Sequence, residues 1–184
     1  VLFFIDNIFR YSLAGAEVEL VNELARENRL REALAPLKDK YDYILIDCPP
    51  SLGLLTLNGM VAAQDGIIIP VQCEYLALEG LSMLLSTIER VRKALFPGLK
   101  LRGVLLTMYD NRTRLSDEVV SQVRSHFKNE AFKAIIPRNI RLAEAPSHGL
   151  PIIAYFPNSP GAEAHRELAL EVLEGDGVKV AVTA

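Results

Sequence analysis

Residues Tyr41–Gly53 read YDYILIDCPPSLG. Tyr43–Asp47 is an apolar run of the kind that forms a strand covered on both faces, and it ends in a carboxylate. An ionised Asp is costly to bury without partners, so Asp47 belongs where the strand leaves the sheet. Pro49 and Pro50 then fix the backbone at that exit, and Gly53 permits close approach of another group. A strand-end aspartate beside a stiff loop is a candidate holder of nucleotide-bound magnesium, and such a loop can register a γ-phosphate. The competing reading of Asp47 is an ordinary turn former or helix cap.

Outward from this stretch, apolar periodicity alternates between strand and helix. Strands are expected at residues 2–6, 43–47, 66–71, 101–107 and 133–137, with a further candidate at 151–155. Leu20, Val21, Leu24, Leu30, Leu34 and Leu37 trace one face of a long helix. Leu81, Leu84, Leu85, Ile88, Val91 and Leu95 mark another, stopped by Pro97-Gly98. Leu115, Val119, Val120 and Val123 mark a third, with Ser116 as its expected N-cap. Ser159-Pro160 opens the last. The pattern predicts an α/β domain over residues 1–174, a three-layer, mainly parallel sheet with helices on both faces, and a tail over 175–184. In such sheets ligands sit at the carboxyl ends of the strands. Those ends read Asp47-Cys48-Pro49-Pro50, Val71-Gln72-Cys73-Glu74, Thr107-Met108-Tyr109-Asp110 and Pro137-Arg138-Asn139.

Half of the residues are apolar and 23% are charged, an ordinary globular balance. No apolar run is long enough to span a bilayer. The start has no basic signal region, and Cys48 and Cys73 are too few for a disulfide framework, which suits reduced thiols in the cytoplasm. His126, His148 and His165 are too scattered to form a metal site with the cysteines. Net charge is −3, yet residues 100–141 hold nine Lys/Arg against four Asp/Glu. That basic segment is either a solvated face or a footprint for phosphates.

The stretch YDYILIDCPPSLGLLTLNGMVAAQDGIIIPVQCEYLALEGL, followed by GVLLTMYDNRT and IPRNIRLAEAPSHGLPI, resembles the ParA/Soj family of partitioning ATPases, relatives of MinD. LAGAEVELV at 13–21 is similar to that family as well, so the resemblance runs from about Leu13 to Leu173. It implies a P-loop NTPase fold, ATP with magnesium as cofactors, a homodimer around the nucleotides, non-specific DNA binding and a ParB/Spo0J-type partner. It also implies a cytoplasmic, nucleoid-associated protein with no membrane role. Carried across residue by residue, Asp47 matches the Walker B aspartate that holds magnesium through water. Pro49, Pro50 and Gly53 match the switch loop after it. Pro137, Arg138 and Asn139 match a loop near the adenine. Arg112 and Arg141 match DNA-contacting positions, with Arg114, Arg138 and Lys128 as weaker candidates.

The family's KGGVGKTT phosphate loop and DxDPQ segment are not among these residues. The resemblance therefore covers the distal two-thirds of such a protein and implies no useful ATP hydrolysis by this chain alone. In the family fold the strands carrying those segments flank the Walker B strand. Unpaired edges are expected there, in a chain that is marginal, rearranged or self-associated. Residues 1–12 are instead similar to the Walker B region of the rotary ATP synthase catalytic subunit, with Asp6 in the magnesium-linked place; the alternative is an ordinary strand whose end has drifted. A partitioning ATPase and a non-catalytic nucleotide- or DNA-binding remnant, or hybrid chain, both stay open.

Overall fold

A computed structural model describes residues 2–5 (backbone only), 20–49 and 51–179. Asp6 and the rest of the 6–12 stretch, the start of LAGAEVELV at 13–19, Pro50 and residues 180–184 lie outside the described residues.

The strands are β1 (Leu2–Ile5), β2 (Leu45–Cys48), β3 (Ile67–Gln72), β4 (Leu101–Tyr109) and β5 (Ala131–Pro137). β1 and β2 pair in parallel, Phe4 opposite Asp47 and Ile5 opposite Cys48. One edge of the Asp47 strand is thus occupied by β1. The other three strands hydrogen-bond in the order β3-β4-β5 as a separate sheet. The Ile67 amide bonds the Lys100 carbonyl and the Cys73 amide the Thr107 carbonyl, so both strands advance together and run parallel. β4 and β5 are parallel too. β3 is almost wholly buried, as its unbroken apolar run dictates.

The helices are α1 (Arg29–Leu34), α2 (Leu54–Ala62), α3 (Tyr75–Ala94), α4 (Arg114–Phe127), α5 (Ile140–Glu144), α6 (Ile152–Tyr155) and α7 (Pro160–Gly175). By contacts the chain divides into two compact units, Val1–Pro70 with Glu79–Gly103, and Val71–Leu78 with Val104–Ala184.

Three local expectations are corrected. The single helix expected through Leu20–Leu37 is broken: Ala25 takes a left-handed φ of 51°, and 3-10 turns at Arg26–Asn28 and Ala35–Leu37 bracket α1. Asn58, on α2 and 3% exposed, accepts from the Leu30 amide at 3.1 Å and donates to the Arg26 carbonyl at 2.8 Å and the Leu54 carbonyl at 3.0 Å. A side-chain amide from another helix thus takes over backbone groups that a continuous helix would have paired internally. Pro36, lacking an N–H, sits in the second of the 3-10 turns.

The N-cap of α4 is Thr113, whose hydroxyl accepts from the Ser116 amide at 3.3 Å. Ser116 is buried inside the first turn, its own hydroxyl at 3.4 Å from the Cys73 carbonyl. Residues 151–155, a candidate strand, form the one-turn α6, which buries Ile152 against Ala145 and Ala162. A single turn satisfies that backbone locally: the Phe156 amide returns to the Ile152 carbonyl at 2.9 Å. Ser159 caps α7 as expected, accepting from the Ala162 amide at 3.1 Å.

Two substitutions test this packing. Asn58→Leu keeps the branched outline, at larger volume, but strands the Leu30 amide and the Arg26 carbonyl, and should cost about 2–4 kcal/mol in urea unfolding, with faster hydrogen exchange at Leu30. Gly161, in the first turn of α7, faces Leu142: a Cβ there would lie 2.7 Å from Leu142 Cγ. Although Ala is the better helix former, Gly161→Ala should lower stability by about 1–3 kcal/mol through forced repacking.

Candidate functional site

In the first unit, Asp47 is exposed at the third position of β2, and Cys48 behind it is buried. Burial, and secondarily the charge of Asp47, push the Cys48 thiol up to about 12, so it stays a protonated packing group. Cys73 is likewise buried, its thiol raised to about 11 by desolvation. Both cysteines are free, as expected.

The loop after Asp47 closes onto α2. Gly53 is the N-cap of α2 in extended conformation, and its carbonyl accepts from Leu57 at 3.1 Å. Thr56, 1% exposed, aims its hydroxyl at the Ser51 carbonyl and, at 3.3 Å, the Pro49 carbonyl. One buried hydroxyl therefore gathers the carbonyls of the loop that sequence reasoning marked only by its prolines and glycine. Asp47 and Pro49 line a cavity of about 360 Å³ with Arg29, Leu30, Ile46, Leu55 and Asn58 among its walls.

In the second unit, the ends of β4 and β5 form a polar cluster. The two strands are out of step twice. From Val104–Ala131 to Leu106–Ile135 the register gains residues on β5, and from Leu106–Ile135 to Tyr109–Pro137 it gains one on β4. The first irregularity turns the Lys133 and Ala134 amides together onto the Glu171 carboxylate of α7, at 2.9–3.1 Å. The second puts Met108 at φ 54°, a conformation costing about 1–2 kcal/mol for a residue with a Cβ. It re-aims Tyr109 and Asp110, whose strand-end backbone then holds Arg138: the Arg138 amide donates to the Tyr109 carbonyl at 2.8 Å.

Tyr109, Asp110, Asn111, Arg112, Pro137, Arg138, Asn139, Ile140 and Pro160 line a cavity of about 640 Å³. Four of the residues chosen from sequence, Arg112, Pro137, Arg138 and Asn139, are thereby brought together. Asn139 also caps α5, its Oδ1 accepting from the Arg141 amide at 2.8 Å. Tyr109 donates its hydroxyl to Asp117 at 2.8 Å, which raises its pKa. Tyr109 and Asp110 lie in a strand-end stretch marked from the sequence and Pro160 at the expected start of the last helix, but none of them was given a site role there, nor were Asn111 and Ile140.

The arginines are held by carboxylates. Asp110 accepts from Arg112 Nε at 2.9 Å, Nη2 at 2.7 Å and the Arg112 amide at 3.1 Å, and those bonds hold its carboxyl far below the usual range. Arg138 Nη2 meets Glu74 at 2.8 Å. Arg141 Nη1 meets Glu144 at 2.7 Å, which raises the Arg141 pKa and lowers that of Glu144. The Arg141 guanidinium also lies 4.8 Å from the centre of the Phe156 ring. Arg141 does not line the cavity. Arg114 is exposed at the first position of α4, and Lys128 follows that helix. Among the described residues no group of three His, Cys, Asp or Glu could hold a metal, and no helix is long and apolar enough to cross a membrane.

Residues 8–101 match the AAA domain family. The chain is 58% identical over 160 residues to the sporulation initiation inhibitor protein Soj of Bacillus subtilis (strain 168), covering 87% of this chain and 63% of that one. It is 56% identical over 167 residues to the chromosome partitioning protein ParA of Myxococcus xanthus (strain DK1622), covering 91% and 59%. In structure it resembles cobyrinic acid a,c-diamide synthase from Mycobacterium smegmatis with bound ATP analogue and magnesium, at TM-score 0.71 and 38% identity over 94% of this chain and 64% of that one. The chain thus spans about three-fifths of the length of the relatives it matches. Its fold is the mainly parallel α/β fold of P-loop NTPases, with helices on both faces. With the motifs in the same order along the chain and more than half of the residues identical, this chain belongs to the ParA/Soj family.

Proposed function

We propose that this chain is the distal part of a chromosome- or plasmid-partitioning ATPase, a cytoplasmic protein that dimerises with ATP, binds DNA without sequence preference and answers to a ParB/Spo0J-type partner. The observation that carries this reading is the cavity at the ends of β4 and β5, where Pro137, Arg138 and Asn139 meet Tyr109–Arg112. Its volume of about 640 Å³ suits a nucleotide-sized ligand. The exposed Ile140 offers an apolar surface for a base.

The donor set around Asp47 fits magnesium of a particular kind. One exposed strand-end carboxylate, without a three-ligand cluster among the described residues, suits an ion held mostly by water and substrate phosphates. When bound, that ion would neutralise charge between phosphates. Asp47 would orient it through water, and Thr56 would fix the loop from Pro49 to Gly53 that lies next to it. A solved relative carries an ATP analogue with magnesium, which supports the cofactor pair.

Two measurements test the reading. A fluorescent adenine nucleotide titrated into the chain should bind weakly, and Ile140→Ala should weaken it roughly fivefold. ATP turnover by the 184 residues alone should be undetectable, because phosphoryl transfer needs positioned phosphates and an oriented water as well as the metal. Turnover that disappears in Asp47→Ala would reverse that conclusion and require another phosphate site within the chain.

For DNA, a salt titration of non-specific duplex binding should show a steep loss of affinity. The Arg112→Ala, Arg141→Ala double variant should bind more weakly and flatten the log–log salt slope by roughly 2, one phosphate contact per arginine. Unchanged affinity and slope would make those arginines a solvated face.

A further inference from the structure

Three arginines at the ends of β4 and β5 share one arrangement that the charge of the segment conceals. Counted along the sequence, residues 100–141 carry nine Lys/Arg against four Asp/Glu, a net of +5. The fold brings in Glu74 to Arg138 and Glu144 to Arg141, both from outside that window, and these two carboxylates alone lower the +5 to +3. Asp110, from inside it, is closed onto Arg112 by a two-pronged contact. An arginine matched by a carboxylate at 2.7–2.9 Å presents a distant phosphate with a dipole more than with a net charge.

We propose that Asp110, Glu74 and Glu144 set the affinity of this chain for a nucleic-acid backbone, because each holds one of Arg112, Arg138 and Arg141 in an ion pair that phosphate must displace. This deepens the DNA-binding reading above and rests on it. Binding is then an exchange of carboxylate for phosphate, and the acids hold the bare chain at a weak setting.

The three pairs are not equal. Arg112 is 80% exposed while its partner Asp110 is 18% exposed. The guanidinium is placed to leave, but the carboxylate it abandons is poorly hydrated, with Arg138 the next cation to influence it. Asp110 is therefore the strongest restraint. Arg138 with Glu74 and Arg141 with Glu144 are open to water on both sides, at 50% and 51% and at 47% and 37%, where ion pairs contribute less. Arg141 is further seated over Phe156, and Glu144 accepts from the Tyr155 hydroxyl at 3.3 Å, so that pair is held in one geometry.

The test is duplex binding by fluorescence anisotropy across a salt series for the whole chain and for Asp110→Asn, Glu74→Gln and Glu144→Gln. Each variant removes one charge and keeps the side-chain size while exchanging one acceptor oxygen for an NH2 donor. At 110 this breaks the two-pronged pairing, while the Asn carbonyl oxygen still accepts from the Arg112 amide and preserves the turn. Glu163→Gln, on α7 and outside these pairs, reports the general effect of losing one negative charge. Asp110→Asn should tighten binding roughly fivefold at low salt, and the two Glu→Gln changes roughly two- to threefold, each beyond Glu163→Gln. The advantage should shrink as salt rises, because salt loosens the internal pairs of the unaltered chain. Should Asp110→Asn fail to fold, the other two carry the same expectation.

If the three variants bind no tighter than Glu163→Gln while Arg112→Ala with Arg141→Ala still weakens binding, the exchange idea is overturned and the DNA reading stands. If that double variant keeps affinity and slope, the DNA reading itself falls. No measurable binding by either the chain or Asp110→Asn overturns both.

Discussion

A parallel strand covered on both faces has nowhere to put a polar side chain except at its ends, and the layout of this chain follows from that constraint. β3 is buried through Ile67, Ile68, Ile69 and Val71, and polarity begins only at Gln72. β4 is buried through Val104–Leu106 and becomes accessible at Met108. Backbone groups that run out of ladder partners at those ends must still be paired. The Cys73 amide takes the Thr107 carbonyl, and the Arg138 amide takes that of Tyr109. The strand ends are thus tied together by main chain before any side chain contributes, and the candidate cavity opens on that frame.

The same need recurs wherever the backbone is irregular. The break before α1 is sustained by Asn58, the loop after Asp47 by Thr56, and the bulge in β5 by Glu171. Each is one polar side chain taking two or more main-chain groups. Asn58 and Thr56 are almost completely buried, so removing either would leave main-chain groups that must find other partners. Among the described residues, the buried polar side chains Thr56, Asn58, Ser116 and Ser159 stand at loops, breaks and helix starts.

That also explains what could be read from sequence. The strands, the carboxyl-end clusters and the Ser159 cap are local patterns, and they were legible. The interruption around Ala25 was not, because it depends on Asn58 some thirty residues away, while the leucine spacing from 20 to 37 fits a continuous helix. Ser116 looked like a cap because it precedes Asp117 and Glu118. The turn that Asp110 builds with the Arg112 amide moves the start of α4 back to Thr113. PIIAY at 151–155 has strand composition but pairs with no strand among the described residues, and it closes into one helical turn over Ala145 and Ala162. The strand-end stretches legible in the sequence include Asp110 and Glu74, but the pairing of Glu74 with Arg138 and the hold of Thr56 on the loop after Asp47 exist only in the folded chain.

Charge follows the same rule with larger consequences. A count along the chain treats residues 100–141 as a basic patch, but electrostatic attraction is summed in space, and space includes Glu74 and Glu144. An arginine chosen by position in a motif and an arginine carrying a net charge into solution are different things. Arg112, Arg138 and Arg141 meet the first description and, in this structure, not the second. Arg112 with Asp110 and Arg141 with Glu144 are local pairs, within one turn and within α5, whereas Arg138 with Glu74 joins the end of β5 to the turn after β3, so a shift of one strand end relative to the next alters that pairing. Arg138 is the most exposed to such coupling: its amide is fixed by β4, its guanidinium by the turn after β3, and its side chain lines the cavity. A ligand filling that cavity would therefore touch the residue that joins three strand ends.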